Sequence, residues 1–173
     1  MKQNRNSDRR SGPDVAQLDQ LDRKILSALM ENGRLTTAEL AERVGLSQSP
    51  CWTRVKRLEA SGTIKGYVAV LDQRSIGASN IVFVEITLNR HDENALEQFG
   101  AALASIPEVT EAHLVTGDYD YLVKVAVADT SHYERFLRES LYRIPGIRHS
   151  RSTFALRELK SAISVDPILI VDR

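Results

Sequence analysis

The sequence predicts an α+β chain in two parts, a front half of three short helices and a back half of two strand-helix-strand units in tandem. Three observations predict it. Apolar residues fall at helical spacing from Leu18 to about Ala60. They alternate at period two over residues 81–88 and again over Tyr121–Val127. An Ile-Pro pair closes the helical run of each repeat, at Ile106-Pro107 and at Ile144-Pro145. With 173 residues, 42% of them hydrophobic, the chain is long enough for one core or two small ones.

Composition excludes several classes. No apolar stretch approaches the ~20 residues a membrane-spanning helix needs, and residues 1–13 are polar and basic where a secretory leader is apolar. A soluble, cytoplasmic protein without a membrane partner is expected. The single cysteine, Cys51, rules out an intramolecular disulfide and a multi-cysteine zinc site, and His91, His113, His132 and His149 have no metal-ligand spacing. No metal or cofactor is expected. The net charge of zero hides an asymmetry: residues 1–79 hold 13 Lys/Arg against 9 Asp/Glu, and residues 80–173 hold 10 against 14. Only the front half is suited to a polyanion.

Residues 1–17 carry Gly12-Pro13 and no apolar periodicity, so a flexible arm is expected, its Lys2, Arg5, Arg9 and Arg10 being a solvated tail or phosphate contacts. From Leu18 a first helix presents Leu21, Ile25 and Leu29 as one stripe. Asp19 and Asp22 sit where the helix dipole favours acids, and Asn32-Gly33 ends it. Thr36-Thr37-Ala38-Glu39 reads as a capping box for a second helix of about two turns, with Leu40, Ala41 and Val44 apolar and Gly45 free to turn left-handed. Ser47 is placed to cap a third helix that tolerates Pro50 in its first turn and runs to Ala60.

Two short helices joined by a tight glycine turn cross steeply, which is helix-turn-helix geometry. On the third helix Cys51, Val55 and Leu58 mark the core side. Gln48, Ser49, Pro50, Thr53, Arg54, Lys56 and Arg57 mark the outer side, where every side chain except the proline can donate to phosphates or base edges. Three helices with a solvated basic face fit the same spacing. Residues 65–72 then alternate as a strand, a wing or a linker, closing a first domain over residues 18–79.

The back half repeats. A strand with Val82, Val84, Ile86 and Leu88 on one face is followed by a helix capped by Asp92 and carrying Leu96, Phe99 and Leu103. A strand with Tyr121, Val123, Val125 and Val127 is followed by a helix that begins at a Ser131–Glu134 box and carries Tyr133, Phe136, Leu137 and Leu141. Each helix leads into one more strand. This is the ferredoxin-like βαββαβ order over residues 80–160, a four-stranded antiparallel sheet with two helices on one face. The other face, with Ile81, Phe83, Glu85, Leu122, Lys124 and Ala126, is too apolar to stand in water and predicts dimerisation through the sheet. Residues 161–173 form a tail whose Ile168-Leu169-Ile170-Val171 run has no assignment.

The motifs Leu18-Asp19-Gln20-Leu21-Asp22-Arg23-Lys24-Ile25-Leu26, Thr37-Ala38-Glu39-Leu40-Ala41, Gly45-Leu46-Ser47, Pro50-Cys51-Trp52 and Arg54-Val55-Lys56-Arg57-Leu58-Glu59 resemble the DNA-binding half of the Lrp/AsnC (feast/famine) transcriptional regulators. Gly117-Asp118-Tyr119-Asp120-Tyr121 and Thr153-Phe154-Ala155-Leu156 resemble that family's effector-sensing half. The resemblance spans about residues 18–160. It implies a winged helix-turn-helix joined to a ferredoxin-like domain in a non-enzymatic, sequence-specific regulator of amino-acid metabolism or transport, nucleoid-associated. It implies homodimers assembled into a higher oligomer such as an octamer, double-stranded DNA as partner and an amino acid as effector. It also implies an effector seat at Thr116, Gly117, Asp118, Tyr119, Asp120 and Tyr121, with Ser152 and Thr153. A glycine turn exposes amides to a carboxylate, and Asp118 or Asp120 suits an ammonium group; both aspartates also serve simply as turn formers. Two other readings stay open: an architectural DNA-binding protein without effector, and an enzyme using Tyr119, Asp120 and His113, for which no nucleophile-base arrangement is visible.

Overall fold

The computed structural model describes residues 18–89 and 92–170. Two units are distinguished: residues up to 69 with those from 162 onward, and residues 70–161. The C-terminal segment thus groups with the front unit, and residues 70–79 with the back one. The arm over residues 1–17, His91 and Val171 lie outside the described residues.

In the first unit Asp19 does more than complement a dipole. It caps α1 (Gln20–Glu31) by accepting the Asp22 N–H at 2.8 Å, and the Asp22 carboxylate accepts the Asp19 N–H at 3.1 Å. Helix α2 (Thr37–Val44) begins with the expected box, Thr36 N–H donating to Glu39 at 2.7 Å, and ends at Gly45 with φ +74°. That left-handed residue reverses the chain sharply enough for α3 (Gln48–Ala60) to start three residues on. Ser47 occupies the N-cap position of α3, but its hydroxyl makes no capping bond; its carbonyl accepts the Cys51 N–H at 3.2 Å. Ile25, Leu40, Ala41, Val44, Cys51 and Leu58 form the core among the three helices. Burial pushes the Cys51 thiol pKa up, so it sits there as a packed, neutral group.

A further expectation for this half is corrected. Residues 65–72 form no strand, because a strand needs a ladder partner and no other strand in the described residues pairs with them. Tyr67, Val68, Val70 and Leu71 are each more than half exposed. The unassigned tail does have a place: a 3₁₀ turn, Pro167–Leu169, capped by Asp166, packs on α1. Arg23 donates to the carbonyls of Pro167 at 3.1 Å and Ile170 at 2.6 Å, and the Ser27 hydroxyl donates to Asp166 at 3.1 Å.

The second unit runs β1 (Asn80–Leu88), α4 (Glu93–Ala104), β2 (Val109–Leu114), β3 (Tyr121–Val127), α5 (Thr130–Glu139) and β4 (Ile147–Phe154). Its antiparallel sheet has the order β2-β3-β1-β4, the ferredoxin-like arrangement. Val82, Val84, Ile86 and Leu88 of β1 and Tyr121, Val123, Val125 and Val127 of β3 face the helices. They pack on Phe99 and Leu103 of α4, Tyr133 and Phe136 of α5, and Leu141. Every one of these is under a tenth exposed, so alternation at period two and spacing of three to four meet in one core. Asp92 caps α4 as expected, accepting the Ala95 N–H at 3.0 Å.

Helix α5 departs in detail. Its cap is Asp129, which accepts the His132 N–H at 2.7 Å two residues before the predicted Ser131 box, because a carboxylate in extended backbone accepts more strongly than a serine hydroxyl. Leu141 lies past the helix, in the 3₁₀ turn Leu141–Arg143, yet reaches the core.

Candidate nucleic-acid interface and effector turn

Helix α3 is fixed by its apolar side, and the rest follows from helical geometry. Gln48, Ser49, Pro50, Thr53, Lys56 and Arg57 are exposed and Arg54 is half-buried. Ser49, Pro50, Thr53, Arg54 and Arg57 line an open notch of about 430 Å³. The remaining two expected residues flank it, Lys56 paired with Glu59 at 2.8 Å. Cations beside hydroxyl donors in a concave surface are the chemistry that a phosphate backbone requires.

The arginines are not loose. Arg54 Nη1 lies 2.9 Å from Asp22 Oδ1 and 2.6 Å from Asp19 Oδ2, and Arg57 Nη2 lies 2.5 Å from Asp22 Oδ2. Asp22 is fully buried, and its desolvation is offset by these two guanidiniums and the Asp19 N–H. The Asp22 N–H, and after it the Arg54 guanidinium, hold the Asp19 carboxyl below the usual range; the Asp19 hydrogen bond raises the Arg54 pKa. Sequence reasoning read Asp19 and Asp22 only as dipole partners. The available signal was two acids three apart opposite two arginines three apart, but pairing across 35 residues needs the fold. Trp52 lies off the Cys51-Val55-Leu58 stripe of α3 and is 53% exposed.

The turn between β2 and β3 holds the other expected site. Thr116, Gly117 and Asp118 are exposed, Tyr119 and Asp120 half-buried and Tyr121 buried. Gly117 adopts φ +130°, which a side chain resists, and faces open space. Asp120 closes the turn: its N–H donates to the Ile86 carbonyl at 2.9 Å and its carboxylate accepts the Leu88 N–H at 2.7 Å. Tyr121 belongs to the scaffold beneath, its hydroxyl donating to the Leu96 carbonyl at 2.5 Å and its ring tilted against Phe99 at 5.2 Å. Ser152 and Thr153 are not adjacent to the turn within one chain. They pair with Val84 and Phe83, whereas the turn ends level with Ile86 on the opposite side of β1, two strand spacings or ~10 Å away. Ser152 shares a 2.5 Å hydrogen bond with the Tyr133 hydroxyl. Arg151, which the sequence did not single out, spans part of that gap: it pairs with Glu85 at 2.6 Å, which raises its pKa, and the Asp118 carboxylate adds to that in smaller measure.

A three-helix unit with a basic outer helix, and a separate ferredoxin-like unit with a polar glycine turn, define a two-domain regulator of the bind-and-sense kind. Comparison with known proteins gives the same division: residues 18–65 match the winged helix-turn-helix DNA-binding model and residues 81–165 the Lrp/AsnC ligand binding domain. The chain is 47% identical over 156 residues to the leucine-responsive regulatory protein of Salmonella typhimurium, covering 90% of this chain and 93% of the relative. It is 46% identical over the same length and coverage to that of Escherichia coli K12. Among solved structures it resembles an AsnC family transcriptional regulator from Agrobacterium tumefaciens (TM-score 0.84, 37% identity, 88% of this chain and 99% of that one). It also resembles a transcriptional regulator from Neisseria meningitidis in complex with L-Met (TM-score 0.80, 38% identity, 86% and 96%). The chain belongs to the Lrp/AsnC family of DNA-binding transcriptional regulators.

Proposed function

We propose that this chain binds operator DNA through the outer face of α3 and adjusts that binding to an amino acid held at the β2-β3 turn. The observation that carries the reading is the placement of Gln48, Ser49, Pro50, Thr53, Arg54, Lys56 and Arg57 on one solvent-facing surface, in a domain whose family is DNA-binding. The effector seat is Thr116, Gly117, Asp118 and Tyr119, braced by Asp120 and Tyr121. Asp118 faces an ammonium group, and the turn amides or Arg151 a carboxylate. Ser152 and Thr153 reach such a ligand from a second copy. The relative solved with L-Met supports this class of ligand. Dimers form through the open sheet face, where Ile81, Phe83 and Leu122 leave apolar surface uncovered, and associate into a higher oligomer such as an octamer.

The protein works in the cytoplasm on the nucleoid, by binding and not by turnover; no helix among the described residues is long and apolar enough to cross a membrane. A thermal-shift screen of the twenty amino acids tests the effector half, since a ligand of the folded state raises the melting temperature by mass action. One hit abolished by Asp118→Ala supports the seat. No hit at millimolar concentration, with DNA binding intact, favours an architectural DNA-binding protein.

A further inference from the structure

We infer that Asp22, a buried carboxylate on α1, is a positioning residue for DNA binding that aims Arg54 and Arg57 of α3 before the duplex arrives. The inference rests on the reading that α3 meets DNA, and deepens it. Asp22 has no exposed surface of its own, yet each of its oxygens takes a guanidinium that opens on the Ser49-Pro50-Thr53 notch. Each arginine spends only one nitrogen on these ties: Nη1 of Arg54 on Asp19 and Asp22, and Nη2 of Arg57 on Asp22. A guanidinium carries five N–H donors in a rigid fork. The remaining donors therefore have directions set by the buried anchor, and the Arg57 side chain is 58% exposed to solvent, where a phosphate oxygen can reach it.

Fixing long side chains before the ligand arrives removes the ordering penalty that binding otherwise carries. Asp19 and Asp22 together cancel the charge of the two arginines, so the arrangement weakens the long-range attraction for DNA while sharpening the short-range contact. Those two effects have opposite signs on removal of the carboxylate. That makes the role testable.

The experiment is fluorescence anisotropy of the full chain on a labelled random-sequence duplex of about 30 base pairs, from about 50 to 200 mM salt. Asp22→Asn, Arg57→Lys and Lys56→Ala are compared with the unaltered protein, with melting temperature and oligomeric state measured on each. Asp22→Asn removes a negative charge near the phosphates, yet is expected to bind about fivefold or more weakly, with a salt slope shallower by about one. Arg57→Lys keeps the net charge, but its ammonium lacks the fork that grips carboxylate and phosphate together, and a loss of similar size is expected.

Unchanged or tighter binding by Asp22→Asn overturns the inference, because charge alone then accounts for the site. A lowered melting temperature with an unaltered affinity and salt slope overturns it too, since that is the signature of a purely structural carboxylate. If Asp22→Asn does not fold, Arg57→Lys decides: wild-type affinity shows that a point charge suffices. Lys56→Ala separates the two layers. Weakened binding there, with Asp22→Asn and Arg57→Lys unaffected, removes only the positioning role. Wild-type binding by all three variants removes α3 as the DNA face, and the positioning role with it.

Discussion

Arg23, in the second turn of α1, donates a hydrogen bond to the carbonyl of Ile170 at 2.6 Å across 147 residues of sequence. With the bond to Pro167 and the Ser27–Asp166 pair, it ties the C-terminal segment onto the first helix of the DNA-binding unit.

Arg23→Ala removes both carbonyl bonds at a partly exposed position and is expected to destabilise the first unit by about 1–2 kcal/mol. Chemical denaturation followed by Trp52 fluorescence reads that unit, since the single tryptophan lies on α3. A wild-type midpoint in Arg23→Ala removes the tie from the account of stability.

Asp19 gives a pH dependence with a fixed sign. Its folded-state pKa is lowered from the ordinary 3.8, first by the Asp22 N–H and then by Arg54. A depressed carboxyl stabilises the fold above its unfolded pKa, and that contribution is lost as pH falls through the folded value. The melting-temperature gap between wild type and Asp19→Asn is therefore expected to be constant near neutrality and to close below pH 3.8. A gap that persists at lower pH assigns the difference to side-chain packing.

Gly117→Ala tests the turn. Open space surrounds the site, so the only penalty is backbone strain at φ +130°, on the order of 1–2 kcal/mol, relieved by distorting the turn. DNA affinity without effector is expected to be unchanged and the response to the amino acid lost. A retained response places the effector elsewhere.

Tyr121→Phe separates scaffold from site. The hydroxyl's bond to the Leu96 carbonyl is worth about 1 kcal/mol, and the ring contact with Phe99 survives the change. Modest destabilisation with normal effector affinity is expected, read by calorimetric titration. A large loss of affinity at unchanged stability returns Tyr121 to the effector's immediate surroundings.

Much of this was legible because local chemistry and tertiary packing agree. Thr36 and Glu39 box a helix, Gly45 ends it, and Val82, Val84 and Ile86 alternate into a core, all within a few residues of sequence. What escaped depends on partners far along the chain. Residues 65–72 alternate correctly but no strand among the described residues pairs with them, and the tail's Asp166 and Pro167 are held by Ser27 and Arg23 of α1. The same holds at the site. Arg54 and Arg57 were legible as basic residues on an outer face; their common anchor on Asp22 was not.

The most direct test of the central claim measures affinity for a duplex that the protein itself enriches from a random-sequence pool, against an unselected duplex, with and without each amino acid. The account predicts tighter binding to the enriched duplex, weakened by Arg57→Ala, and a shift in affinity with at least one amino acid that Asp118→Ala abolishes. Equal affinity for both duplexes, unmoved by any amino acid, contradicts it.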